Sequence, residues 1–374
     1  MKIALVCHRF PPFTGGLERH VSELNEGLKS QGVETIVVTT CPDQDVVAKR
    51  GYLGLRAIQL PAGGYYYWPG FLMPSTLKAL EDVDVIHSFG ITFFAPVAAL
   101  FWKRMGRHPA VLSALYHPVE FTPHVFVRTI YDKSVLGALV GGYDATIVHS
   151  NAERDALLPM VHAESSKRLC KVEIASKILN VPSTHIGLRE RFGASGSVLV
   201  LCVGRIDFFK GFDEVVEAAL ILRGKGLDIR IIHVGPKEAW FREDSLLTSS
   251  GMDFATSLGR VSESVLASAY RECDITVVPS KFEAFGLVAI ESLLLGTPVV
   301  STRTGIMNEV IREGVNGAFY TSGEPRSLAD ALERLIHSRT CGLSSAREPL
   351  VSVEKFGKKE REVKDILRLY SELV

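Results

Sequence analysis

The sequence has no excess of either charge. Lys plus Arg number 42 and Asp plus Glu number 42, a net charge of zero at pH 7 with neutral histidines, so no global field draws the chain to nucleic acid, an anionic bilayer or an acidic polymer. Any anion it binds must be held by local groups. Paired cysteines are also missing: Cys7, Cys41, Cys170, Cys202, Cys273 and Cys341 are scattered without a C-x-x-C step. Cys7 and Cys202 fall in apolar runs that read as central strands, the usage of reduced, buried thiols in a cytoplasmic protein and not of a disulfide framework or zinc site. No apolar run is long. "ITFFAPVAALFW" at 91–102 falls short of the roughly 20 residues that span a bilayer, and "MKIALVC" is interrupted by "HRFPP" too early for a signal peptide. A soluble, cytoplasmic chain is expected, at most peripheral at the inner face of a membrane. There is no G-x-G-x-x-G either, which removes the dinucleotide fingerprint and disfavours a nicotinamide dehydrogenase.

What is present is an alternation of short Val- and Ile-rich runs with helix-length segments, the pattern of β-α-β units around a parallel sheet. Strands are predicted at 2–8, 34–40, 83–89, 110–117 and 144–150, and again at 198–204, 228–235, 274–280, 297–302 and 317–321. Between the two series, "NVPSTHIGLRERFGASGS" gathers Pro, Gly and Ser, a boundary composition. A chain of 374 residues with 47% hydrophobic content is long enough for two cores and too long for one ordinary domain. The expected fold class is α/β, with two doubly wound, Rossmann-like domains facing a central cleft, at 1–182 and 183–354, followed by a terminal helix at 355–374.

In open parallel sheets ligands bind beyond the carboxyl ends of the strands. In the first half those positions hold His8, His87, His117 and His149. Separate strands of one sheet edge lie about 5 Å apart, so convergence of four rings on one ion is disfavoured and a polar cleft lining is the better reading. No metal is expected. "DVD" at 82–84 has the spacing of a metal and nucleotide clamp, yet it falls on the amino-terminal edge of its strand, where a turn explains it.

Three stretches suit an anion. "HRFPPFTGGLERH" at 8–20 runs from strand to helix through Gly15 and Gly16, which let the backbone approach a ligand ahead of unpaired helix-start N–H groups; a plain turn explains it as well. "VGRIDFFKGFDEVVEAAL" ends a strand at Gly204, sets Arg205 just beyond, and puts Lys210 beside Gly211 at the next helix start. A planar fork and a point charge together suit a diphosphate, against the alternative of two solvated loop cations. In "KFEAFGLVAIE" at 281–291, N–H groups around Gly286, Leu287 and Val288 can cap a phosphate. Glu291 lies about 6 Å further along the helix axis, roughly the step from a diphosphate to a ribose. Glu283 sits on the other side of those N–H groups. The two carboxylates suit hydroxyls of a transferred sugar and of a ribose; the bland alternative has Glu283 neutralising the helix start and Glu291 in an internal pair.

These residues, with "PPFTGGLERHV", "VDVIHSFG", "NEVIREGVNG" and the Glu283-x7-Glu291 spacing around "FGL", make nearly the whole chain resemble the retaining glycosyltransferases of the GT-B fold, family four. By that resemblance Arg205 and Lys210 hold the donor diphosphate and stabilise the departing nucleotide, Glu283 contacts the donor sugar, and Glu291 binds ribose. Backbone at Gly16, Phe285, Gly286 and Leu287 would line phosphate and sugar, Arg260 and Val261 would face the base, and His117 in "LYHP" would sit near the sugar. The final "EKFGKKEREVKDILRLYSELV" resembles a helix that crosses back to the first domain. The chain departs from the family's Asn-Gly-Val-Asp-like turn with "ILNVPSTHI" at 178–186.

The implied activity is metal-independent, retaining transfer of a sugar from a nucleoside diphosphate, UDP or GDP foremost, to a glycan, lipid-linked or small-molecule hydroxyl, by front-face attack. No cofactor is implied, since the nucleotide-sugar is a substrate. A nucleotide-sugar epimerase of the same fold and a non-catalytic nucleotide-sugar binder remain open. "GGYYYWPGF" at 63–71, "FWKRMGRH" at 101–108 and "HVFVRTIYDK" at 124–133 offer aromatic and basic-apolar surface for acceptor or membrane contact.

Overall fold

The structure is a computed structural model and describes residues 1–11, 15–39, 53–54, 57–59, 65–67, 78–91, 95–106, 108–118, 125–206, 208–236, 253–340 and 351–374. The chain divides into two compact units, Met1–Ile174 joined by Lys359–Val374, and Ala175–Lys358. The first crossing comes earlier than the 182/183 boundary read from composition, and the physical reason is visible. The Pro- and Ser-rich stretch after residue 180 is bonded into the second unit: the Ile186 and Leu188 N–H groups donate to the Glu272 carboxylate at 2.6 and 2.8 Å, and the Thr184 N–H to Ser268 Oγ at 3.1 Å. A linker-like composition here is a docked loop.

The first unit is built on β1 (Lys2–Cys7), β2 (Glu34–Thr39) and β3 (Leu53–Gly54), a two-stranded antiparallel pair β4 (Ala57–Gln59) and β5 (Tyr65–Tyr67), then β6 (Val85–Phe89), β7 (Ala110–Ser113), β8 (Ala145–Val148) and β9 (Leu169–Lys171). The main sheet runs β3-β2-β1-β6-β7-β8-β9, parallel throughout. β1 shows why the sequence reads as a continuous apolar run. Ile3, Leu5 and Cys7 enter one core and Ala4 and Val6 the other, because successive side chains take opposite faces and both faces are covered. Helix α1 (Gly16–Ser30) covers one face and α2 (Ala95–Gly106) the other. Helix α3 (Val125–Tyr131) runs on through a π-helical stretch, Asp132–Leu136, and α4 (Asn151–Leu157) follows β8.

The second unit carries β10 (Val198–Val203), helix α5 (Phe212–Gly224), β11 (Ile229–Val234), β12 (Ala255–Ser257), helix α6 (Glu263–Glu272), β13 (Ile275–Val278), helix α7 (Leu287–Leu294), β14 (Val299–Ser301), β15 (Gly317–Phe319) and helix α8 (Pro325–Thr340). Its parallel sheet runs β12-β11-β10-β13-β14-β15. Each unit thus has the doubly wound order in which the chain winds outward from the first strand and then reverses. The reversal lies between β1 and β6 and between β10 and β13, the switch points where such sheets leave a crevice.

The last helix, α9 (Lys359–Ser371), belongs to the first unit. Val363, Ile366 and Tyr370, spaced along one helical stripe, are buried in the α1 core, each aliphatic one contributing about 1.5–3 kcal/mol. The Lys359 ammonium, buried with them, pairs with Glu362 at 2.8 Å and Glu23 at 3.6 Å. The strands are trimmed relative to expectation, most of all 110–117, which ends at Ser113.

Candidate functional site

The switch point of the second unit brings the expected cation Lys210 and the carboxylate Glu283 together, with Arg205 placed just past the end of β10. Past β10 lie Gly204 and the exposed Arg205, then a short 3-10 turn, Phe208–Lys210, and Gly211, which caps α5 at φ +58°. A Cβ on Gly211 would lie 2.4 Å from the Pro279 carbonyl oxygen, so only glycine lets this loop press against the end of β13. The Lys281 N–H donates to Phe209 O at 2.9 Å and joins the two loops. On the joined edge Lys210 Nζ meets Glu283 Oε1 at 2.5 Å, and Ser280 Oγ donates to the same oxygen at 2.6 Å. Both charged side chains stay partly exposed, 32% and 17%. A cation and a carboxylate are therefore held against each other on this edge.

Behind them stands the start of α7. Gly286 caps it at φ +110°, and a Cβ there would lie 2.7 Å from Met307 Cε. The first N–H groups of the helix have no intrahelical partner and carry the positive end of its dipole. The preceding Phe285 is buried, and its carbonyl accepts the Ile306 N–H at 2.7 Å, which fixes the approach to the cap. Arg260, exposed, and Val261, half-buried, occupy the turn between β12 and the Ser262 cap of α6.

Glu291, expected to meet a ribose, is buried, 2% exposed. Its Oε1 accepts from Ser176 Oγ at 2.9 Å and its Oε2 from the Tyr270 hydroxyl at 3.2 Å. A carboxylate inside so apolar a helix must have partners, and here protein hydroxyls supply them. Sequence reasoning missed Ser280, Ser176 and Tyr270; Ser280 was findable, since it follows a strand at the carboxyl edge, whereas Ser176 is remote in sequence.

On the edge of the first unit, Gly15 caps α1, its carbonyl accepting the Arg19 N–H at 3.0 Å, and a Cβ on Gly16 would meet nothing within 4 Å. Residues 12–14 lie outside the described residues, as does 63–71 apart from the backbone of Tyr65–Tyr67. The four histidines expected at strand ends separate. His87 lies inside β6, with its ring nitrogens bonded to the Tyr370 hydroxyl at 2.6 Å and Ser113 Oγ at 2.9 Å; burial, then His149, pushes it down to about 3. His149 bonds Val172 O through Nδ1 at 2.8 Å and is pushed down to about 4, chiefly by burial. His8 is pushed to about 4 by burial and then by Arg9. These three are neutral and buried, and His117, beyond β7, is the exposed one. Among the described residues no group of three or more His, Cys, Asp or Glu is arranged to hold a metal ion. Asp84, of the "DVD" turn, accepts the Lys2 N–H at 2.7 Å on the amino-terminal edge.

Comparison with known proteins follows the same division. Residues 188–352 match the family described as Glycosyl transferases group 1, and residues 14–167 match Glycosyltransferase Family 4. The chain is 34% identical to the D-inositol 3-phosphate glycosyltransferase of Geodermatophilus obscurus, over 89% of this chain and 80% of that protein. It is 26% identical to the protein of that name from Stackebrandtia nassauensis, over 86% and 79%. The crystal structure of Anabaena HepE in complex with UDP superposes with a TM-score of 0.78 at 20% identity, covering 100% of both chains, so the fold is that of the GT-B enzymes. With matches to both halves and such a relative across most of its length, the chain belongs to the group 1 glycosyltransferases of family four.

Proposed function

We propose that the enzyme moves a sugar from a nucleoside diphosphate to an acceptor hydroxyl with retention of anomeric configuration and without a metal. The observation that carries this reading is the Lys210–Glu283–Ser280 cluster beside the N-terminus of α7 at the switch point. In the reaction the bond from the anomeric carbon to the diphosphate oxygen breaks. The acceptor oxygen bonds to the same face of that carbon, and its proton passes to the departing phosphate. Arg205, Lys210 and the N–H groups after Gly286 offset the charge that develops on the diphosphate. Glu283 takes hydroxyls of the sugar, His117 faces that sugar, and Glu291 takes the ribose by displacing Ser176 and Tyr270. Among the described residues we assign no carboxylate as a nucleophile, and so favour front-face attack over double displacement. UDP is the first base to try, because a neighbour in fold binds it, and D-inositol 3-phosphate the first acceptor, after the names of two relatives.

Thermal unfolding with UDP, GDP and ADP, then product analysis, tests the reading. Nucleotide at 100 times its dissociation constant stabilises the fold by about 2.7 kcal/mol, and Arg205→Ala and Lys210→Ala remove most of that gain. NMR of the product gives the anomeric configuration, and turnover persists in excess EDTA. An inverted product, or turnover lost to EDTA and restored by a divalent ion, overturns the mechanism. Sugar interconversion with no acceptor present replaces it with epimerisation.

A further inference from the structure

The turn that carries His117 is held by a carboxyl from another element. Beyond β7, Ala114 still pairs on both sides, donating to Ile147 O at 2.9 Å and accepting the Ile91 N–H at 2.8 Å. Leu115 then takes φ +47°, and among the described residues it is the one non-glycine at positive φ. A side chain with a Cβ avoids that region unless its surroundings impose it. Here Glu153 Oε1 accepts the Tyr116 N–H at 2.8 Å and Oε2 the His149 N–H at 2.6 Å. The Tyr116 ring is fixed at its far end, where its hydroxyl donates to Asp132 Oδ2 at 2.8 Å. Asp132 opens the π-helical stretch, a rare element that gathers at functional sites.

In sequence Glu153 has a plainer task. Ser150-x-x-Glu153 is the pattern of a capping box at the start of α4. Half of that box forms, with Ser150 Oγ accepting the Glu153 N–H at 3.0 Å. The carboxyl passes its own cap and reaches the turn after β7. Fully buried, it is costlier there than an exposed cap would be, and what the burial secures is the backbone of residues 115–116, one step before an exposed histidine.

We propose that Glu153 is a positioning residue for His117: its carboxyl clamps the turn after β7 in a left-handed conformation that sets the place of the His117 side chain. The inference rests on reading His117 as the group that faces the transferred sugar. It goes beyond that reading in assigning the precision of the histidine to a residue on α4, with Asp132 holding the turn through Tyr116. Catalysis depends on such placement at the scale of about 1 Å, where displacement costs about 100-fold in rate.

The test measures release of nucleoside diphosphate from UDP-glucose, GDP-mannose and ADP-glucose by wild type, His117→Ala, Glu153→Ala, Glu153→Gln and Glu153→Ala/Leu115→Gly. Hydrogen exchange of the peptide spanning 114–118 and the nucleotide-induced thermal shift are followed alongside. Glu153→Ala is expected to lower kcat about 100-fold with donor KM and the nucleotide-induced shift little changed, and to speed exchange in that peptide. Glu153→Gln, which keeps one acceptor oxygen, falls between. Adding Leu115→Gly recovers about tenfold, because glycine adopts the left-handed turn unaided. A folded Glu153→Ala with normal kcat beside a crippled His117→Ala overturns the clamp alone. Normal kcat in His117→Ala overturns both the clamp and the reading it rests on. Loss of kcat together with the nucleotide-induced shift, and no recovery from Leu115→Gly, reduces Glu153 to general stability and also overturns the proposal.

Discussion

Replacing Tyr270 by Phe tests how Glu291 is held. Tyr270 is fully buried, and its hydroxyl lies 3.2 Å from Glu291 Oε2; phenylalanine keeps the ring and removes the hydroxyl, and with it this bond to a carboxylate. Such bonds contribute about 1.5–3 kcal/mol, and the length of this one places it at the lower end. In a unit the size of Ala175–Lys358, a loss of about 1.5 kcal/mol lowers the melting temperature by about 3–6 °C. The assay is calorimetric unfolding of wild type and Tyr270→Phe, without nucleotide and with saturating nucleoside diphosphate.

The two conditions separate two ideas. If the carboxylate is held by protein hydroxyls in the unliganded chain, the variant melts lower without nucleotide. If a ribose then displaces those hydroxyls, the gap between variant and wild type narrows on saturation, because the bond deleted by mutation is one the ligand would have broken. An unchanged melting temperature in unliganded Tyr270→Phe refutes the internal bonding. A gap that persists in full with nucleotide refutes the exchange and leaves Glu291 a structural residue.

Lys210→Ala deletes a charge-assisted contact of about 1.5–3 kcal/mol, so nucleoside diphosphate affinity measured by titration calorimetry should fall about tenfold to 100-fold. Gly211→Ala forces φ +58° on a residue with a Cβ placed 2.4 Å from Pro279 O; the backbone alone costs about 1–2 kcal/mol, and a variant that melts like wild type disproves the tight loop contact. His87 and His149, pushed down to about 3 and about 4, contribute stability that is complete above their ordinary value and is lost as pH falls. Each should cost about 2 kcal/mol by pH 5 in urea unfolding, and His87→Gln should flatten that limb. Glu153, raised to about 8 mainly by burial, acts oppositely: its contribution is complete below the ordinary carboxyl range and is lost as pH rises through about 8. Phe126 and Ile130 are 77% and 50% exposed one helical turn apart on α3, near the exposed Lys133; co-flotation with anionic vesicles, reduced by Phe126→Ser, is expected of a lipid-borne acceptor, and an unchanged soluble fraction removes membrane contact.

What the sequence reveals and what it hides divide along a physical line. Parallel strands covered on both faces must be apolar throughout, so β1 or β10 is legible as a run, whereas β9 and β12, three partly buried residues each, leave no such mark. Residues at the carboxyl edge are legible by position, which is why Gly204, Lys210, Glu283 and Gly286 stand out as candidates. Their partners were not, because hydrogen bonds across long sequence separation follow no period: Ser176 meets Glu291 115 positions away and Tyr116 meets Glu153 37 positions away. The overlong strand at 110–117 has the same origin. "LSALYH" keeps the β pattern past Ser113, and what ends the strand is a left-handed leucine held in place by a carboxyl on another helix. A backbone angle imposed by tertiary contact has no signature in its own residues. The clearest local sign was Glu153, in a pattern that a helix cap explains by itself, and only the bond from the Tyr116 N–H shows that its carboxyl reaches past the cap.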